Sequence, residues 1–214
     1  VEGDAAAVSR FVEAWLKANG REASPKYLLG ESYGTLRAAV MAGELAKTMP
    51  LDGVMLLGQA VNMIETSQRP ANAVSFGTNI TALAAIAAYH GRADTKGKSI
   101  SDFVDDAYEF GMGDYLQALV KGAELPEAER RRIAQRLEEF TGVSAEYYLT
   151  HDLIITKVDF VRELLKDKGL VLGMYDARYA GPAAAAGQRP ADPFGKVMDM
   201  VQPSLTEHLT KELG

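Results

Sequence analysis

The stretch Tyr27-Leu28-Leu29-Gly30-Glu31-Ser32-Tyr33-Gly34-Thr35-Leu36-Arg37 decides how the first part of this chain folds. Tyr27-Leu28-Leu29 is an apolar run short enough for a buried strand. Gly30 and Gly34 then bracket Ser32, the composition of a cramped turn. From Leu36 to Met49 the pattern is helical and rich in Ala, Leu and Met, with Pro50 as its stop. Gly53-Val54-Met55-Leu56-Leu57-Gly58 reads as a second buried strand bounded by glycines. Upstream, residues 4–19 predict an amphipathic helix with Val8, Phe11, Val12, Trp15 and Leu16 on one stripe. Asp4 is placed to cap its start and Gly20 to end it. The order is therefore helix, strand, sharp turn, helix, strand. Two continuous apolar strands joined by a helix imply a parallel pair with a right-handed crossover. Two strands alone make a poor sheet.

After residue 60 the α/β alternation stops. Asn72–His90 and Ser99–Lys121 read as helices, the second interrupted at Gly111 and Gly113. A third has Pro126 in its first turn and Gly142 just past its end. Ser144 is placed to cap a short helix through Leu149, and Val158–Lys168 is amphipathic and stopped by Gly169. Leu170-Val171-Leu172 and Met174-Tyr175 read as short extended pieces. Residues 180–193 carry Gly181, Pro182, Gly187, Pro190 and Pro193 and read as a loop or linker. A last helix is expected from about Pro203 to Leu213. The expected organisation is thus a partial α/β layer over residues 1–62, a mainly helical insertion over 63–182, and a linker and helix over 183–214.

Composition narrows the chemistry. The 214 residues carry a net charge of -6, which does not suit a nucleic-acid backbone as main partner. The basic run Arg130-Arg131-Arg132 is flanked by Glu127, Glu129, Glu138 and Glu139, the pattern of a solvated helix face. There is no cysteine, which removes disulfide scaffolds, thiolate catalysis and Cys-ligated zinc. Three scattered histidines without i, i+4 pairing suggest no metal site and no cofactor. His90 and His151 sit at the ends of helical segments and read as capping or surface residues. No run approaches the ~20 apolar residues a membrane span needs.

Gly30-Glu31-Ser32-Tyr33-Gly34 fits the spacing G-x-S-x-G of a nucleophile turn. Such a turn strains the backbone at the serine and pushes Oγ out above the sheet. Small residues two before and two after allow strand and helix to approach closely. The helix N-terminus beneath the serine then favours a developing oxyanion. The pattern alone is weak. An apolar strand before it and a helix after it are the context that strengthens it.

The wider string Tyr27–Arg37 resembles the active-site signature of the serine carboxypeptidase family of α/β-hydrolases, with Glu31-Ser32-Tyr33 the distinctive element. The likeness extends through Phe11–Arg21 and Leu51–Gly58. It also touches Phe140–Tyr147 and Gly173–Tyr179, stretches similar to bacterial members. Thr35 departs from many eukaryotic members, which have a second small residue there. The resemblance implies that Ser32 attacks the scissile carbonyl and that the Tyr33 backbone N–H forms half of an oxyanion hole. It also implies that Glu31 binds the C-terminal carboxylate of a peptide substrate beside a second glutamate, with a proton shared between the acids. A periplasmic or secreted location follows from the same likeness.

A hydrolase of this fold orders its triad Ser, Asp, His along the chain. Ser32, Asp176 and His208 have that order. Asp176 nevertheless lies in a cap-like stretch, and His208 in a helix with no strand before it. The expectation is therefore an internal fragment that lacks its triad Asp and His, is inactive alone, and associates with itself or with other segments of a parent enzyme. Two other functions remain open: an esterase or acyltransferase on the same scaffold, and a non-catalytic helical interaction module. Tyr89, Tyr108, Phe110, Tyr147 and Tyr148 are all expected to pack rather than to line a site.

Overall fold

The computed structural model describes residues 1–62, 67–69, 71–184 and 191–213. Helix accounts for 60% of the molecule and strand for 8%, so the fold is mainly helical. The chain divides into two compact units, Val1–Ser67 and Gln68–Gly214. The expected boundary at residue 62 thus falls five residues early, and residues 183–214 belong with the second unit.

The first unit holds α1 (Glu2–Ala18), β1 (Tyr27–Glu31), α2 (Tyr33–Leu45) and β2 (Gly53–Leu57). The strands pair in parallel, with Tyr27 opposite Gly53 and Glu31 opposite Leu57. Leu28 packs on the helix side against Ala5, Met41 and Leu45. Neither strand is buried as the apolar runs suggested. Tyr27, Leu29, Met55 and Leu57 alternate onto the other face and are exposed, Leu29 by 64% and Leu57 by 61%. The expectation failed because burial of an apolar strand needs a layer on each face. The expected α1 stripe holds at Val8, Val12 and Leu16 and fails at Phe11 and Trp15. Ala5, Ser9 and Leu16 are the buried line, and Phe11 and Trp15 face outward. Asp4 does not cap α1, which starts after Val1 with no side-chain cap. Helix α2 ends at Leu45, ahead of Pro50, and turns carry the chain on.

The second unit stacks α3 (Ala73–Tyr89), α4 (Ile100–Phe110), α5 (Leu116–Lys121), α6 (Glu127–Thr141), α7 (Ala145–Thr150) and α8 (Lys157–Glu163). The expected cap at Ser144 is present, and Ser99 and Thr156 cap two further helices. Ser99 accepts from the Asp102 N–H, Ser144 from Tyr147 and Thr156 from Asp159. Gly142 and Gly169 take left-handed conformations at helix ends. The expected break at Gly111 is a π-helical turn, Gly111–Tyr115, kinked at Gly113. A Cβ on Gly111 would stand 2.4 Å from the Gly77 carbonyl oxygen, so the two glycines allow α3 and α4 to cross at backbone contact. The core gathers Phe76, Ile80, Ile133, Leu137, Phe140 and Phe160.

Three buried polar side chains of this core, Thr141, Tyr148 and Tyr115, are hydrogen-bonded. Thr141 donates to the Leu137 carbonyl at 2.7 Å, so the Tyr148 hydroxyl, 2.8 Å away, donates to Thr141. Tyr115 donates to the Leu153 carbonyl at 2.7 Å. Burial pushes both phenols well above their ordinary range. Phe110 and Tyr148 pack as expected, whereas Tyr89 and Tyr108 are exposed.

The remainder corrects several boundaries. Helix α8 stops at Glu163 and a 3-10 turn, Lys166–Lys168, leads to Gly169. Strand β3 (Leu170–Leu172) pairs antiparallel with β4 (Ala180–Pro182), so the first residues of the expected loop form a strand. Met174 and Tyr175 are not extended. They lie in the turn that the Gly173 N–H closes by bonding the Tyr179 carbonyl at 2.9 Å. The Gly187 and Pro190 part of the expected linker lies outside the described residues. The last helix, α9 (Gly195–Glu207), begins well before Pro203 and contains it.

Candidate active site

Ser32 stands where β1 passes directly into α2. Its backbone has φ 52 and ψ -118, a conformation that L-residues with a side chain rarely adopt. The Ser32 N–H donates to the Leu57 carbonyl at 3.0 Å, extending the β1–β2 ladder by one rung. Its carbonyl is held twice on the helix side, by the Thr35 N–H at 3.0 Å and the Thr35 hydroxyl at 2.7 Å. The same Thr35 oxygen accepts from the Ala60 N–H at 2.8 Å, tying the turn to the segment after β2. Thr35 is fully buried. It is a residue whose importance the sequence pattern concealed. A hydroxyl at the third position of a helix is the available signal, because it can bond the backbone of the preceding turn.

The Ser32 side chain is exposed and does not cap α2. Among the described residues its hydroxyl has no hydrogen-bond partner. The first N–H groups of α2 have no partners within the helix, so the positive end of α2 lies beneath the serine. The Tyr33 N–H occupies the first helical position there.

The two glycines play unequal parts. A Cβ on Gly30 would stand 2.2 Å from the Gly34 carbonyl oxygen and 2.8 Å from the Thr35 nitrogen, both rigid backbone. A Cβ on Gly34 would meet nothing within 4 Å. The close approach of strand and helix therefore requires glycine at 30 alone, a correction to the symmetric expectation. Glu31 ends β1 beside the serine, opposite Leu57, with an exposed side chain. Its carboxylate has no hydrogen-bond partner among the described residues.

Beside Ser32, Tyr33 and Arg37 converge on Asp4. Arg37 donates from Nε and Nη2 to the two carboxylate oxygens at 2.8 and 3.1 Å, and the Tyr33 hydroxyl donates at 3.2 Å. Arg37 holds the Asp4 carboxyl below its ordinary range. Desolvation, then the bond to Asp4, raise the Tyr33 phenol.

The other residues in triad order are engaged elsewhere. Asp176 accepts from Arg178 at 2.6 Å, which with further Arg178 bonds lowers its carboxyl to about 2. His208 Nδ1 lies 2.7 Å from Glu212. His90 Nε2 lies 2.7 Å from the Ala177 carbonyl, and His151 Nδ1 lies 2.8 Å from the Tyr147 carbonyl. Asp176 and His208 are thus each paired within the second unit, to residues other than one another. The arginine run is paired as a solvated face would be, Arg130 with Asp152, Arg131 with Glu127 and Arg132 with Asp114. Among the described residues no group of three His, Asp or Glu is placed to hold a metal ion. No described helix is long and apolar enough to cross a membrane.

Comparison with protein-family models, with curated proteins and with solved structures gave no match for this chain.

Proposed function

We propose that the first unit is the nucleophile segment of a serine hydrolase of the α/β-hydrolase kind, similar to serine carboxypeptidases. One observation carries the reading. A non-glycine residue, Ser32, holds a strained backbone at a strand-to-helix turn, with its hydroxyl exposed over a helix N-terminus. Strain of this kind persists where surrounding bonds over-determine it, and Thr35, Leu57 and Gly30 do so here.

In the proposed reaction Ser32 Oγ adds to the carbonyl carbon of a C-terminal peptide bond, giving up its proton to a base. The Tyr33 N–H and the end of α2 stabilise the oxyanion. Collapse breaks the C–N bond, protonates the leaving amine and leaves an acyl ester on Ser32. Water then adds to the ester and releases the shortened peptide. Glu31 is the candidate for binding the free α-carboxylate. It does so only with a proton between the two carboxyls, because two ionised carboxylates repel at hydrogen-bond distance. The proposal assigns no histidine as base; His90, His151 and His208 each have one ring nitrogen within hydrogen-bond distance of another group.

The test is hydrolysis of a blocked dipeptide by the 214-residue chain, with and without added imidazole as external base. The expected result is no turnover without imidazole and slow product formation with it, which Ser32→Ala abolishes. Replacing the substrate α-carboxylate by an amide separates a carboxypeptidase from an esterase or acyltransferase, because Glu31 serves recognition only in the first. Absence of any Ser32-dependent product under both conditions overturns the proposal. Robust Ser32-dependent turnover without imidazole overturns instead the expectation that the chain is inactive alone.

A further inference from the structure

Asp4 and Arg37 join the first turn of α1 to the second turn of α2. The planar guanidinium engages both carboxylate oxygens, the geometry that distinguishes a directed pair from a loose one. Tyr33 completes the group from the other side. Its hydroxyl reaches Asp4 Oδ2, and its ring lies 5.4 Å from the Arg37 guanidinium carbon, within cation–π range. Tyr33 is therefore held at its edge by Asp4 and across its face by Arg37.

An exposed ion pair ordinarily contributes little to stability, and Asp4 and Arg37 are each 37% exposed. Position sets this pair apart. Tyr33 directly follows the strained Ser32, and a strained backbone needs restraint on both sides. Thr35 restrains the turn from within the unit, through the Ser32 carbonyl and the Ala60 N–H. The Asp4–Arg37–Tyr33 group restrains it from the solvent side. Nothing in the nucleophile motif itself requires an aspartate twenty-eight residues before the serine.

We propose that Asp4 and Arg37 are positioning residues for the Ser32 turn, holding Tyr33 so that its backbone N–H stays aimed at the site of the oxyanion. The chemical meaning of that N–H rests on the hydrolase reading, whereas the restraint on the turn does not. Asp4, like any exposed carboxyl, is ionised at neutral pH, and Arg37 lowers its pKa further, so the pair is charged on both sides under ordinary conditions.

Amide hydrogen exchange by NMR separates a local role from a general one. The exchange rates of Thr35, Leu36 and Arg37 report on the turn, and those of Val40 and Met41, deeper in α2, report on the unit as a whole. In Asp4→Asn and in Arg37→Lys, which keeps charge but loses the fork, exchange at Thr35–Arg37 is expected to rise about fivefold. Val40 and Met41 are expected to stay unchanged, and Asp4→Glu to recover most of the protection. Equal acceleration along all of α2, or none anywhere, overturns the inference. The same proteins in the imidazole-assisted hydrolysis assay should show a lower kcat at unchanged KM for Asp4→Asn. If the unmodified chain gives no Ser32-dependent product, the hydrolase reading falls, and the exchange rates still decide whether Asp4 and Arg37 hold the turn.

Discussion

In residues 68–214 the side chains of Phe76, Ile80, Ile133, Leu137 and Phe160 close around one another from three helices, α3, α6 and α8, each almost fully withdrawn from solvent. In residues 1–67 the buried cluster is Ala5, Met41 and Leu45, and the apolar residues of both strands remain largely exposed. Apolar residues are plentiful in both regions, so their presence alone does not explain the contrast. Architecture does. Helices stacked on helices can cover one another's apolar stripes within one unit. A two-stranded sheet has two faces and two edges, and α1 and α2 lie on one face only. The second unit spends its sequence on its own interior, while the first unit holds a strained serine turn beside an uncovered apolar surface.

Substitution of paired leucines gives the largest expected contrast. Leu137→Ala removes a fully buried side chain from the second unit and should cost about 3 kcal/mol through lost burial and the cavity left behind. Leu29→Ala removes a leucine that is 64% exposed and should change stability by less than about 0.5 kcal/mol. Chemical denaturation of both variants checks this, and equal losses would break the comparison.

Within the first unit, the two turn glycines sharpen it. Gly30→Ala drives a Cβ into the Gly34 carbonyl and should cost about 2 kcal/mol or more, with the Ser32 turn displaced. Gly34→Ala meets open space inside α2 and should gain about 0.5–1 kcal/mol from helix propensity. Unfolding midpoints of the pair, read with the Ser32 amide shift, test both signs.

The smallest expected effect concerns association. The edge strand β2 carries Val54, Met55, Leu56 and Leu57 with no charged residue among them, and edge strands without charges tend to pair with other chains. We expect the apparent mass in sedimentation to rise with concentration, and Leu57→Lys to lower it severalfold at fixed concentration without shifting the melting of the second unit. A strictly monomeric chain at all concentrations would show that the exposed strand face is inert.

Much of the helical unit was legible from residue types. Ser99, Ser144, Gly142 and Gly169 mark helix ends because capping and left-handed closure are local events, decided by the residue and its next few neighbours. Where a boundary depended on something distant, the local signal misled. Asp4 has the character of a cap, but an arginine 33 residues away takes its carboxylate. Pro203 looks like a helix start, yet it sits inside α9.

The candidate site divides along the same line. That Ser32 stands on a bend between a strand and a helix follows from the glycines and apolar runs around it, since backbone sterics act over a few residues. Which glycine is indispensable, that Thr35 stitches the turn to Ala60, and that Asp4 and Arg37 grip Tyr33 were decided by segments meeting in space. The burial of an apolar strand belongs to that second group. A run such as Tyr27-Leu28-Leu29 states what its side chains prefer, and only the layers packed around it determine whether that preference is met.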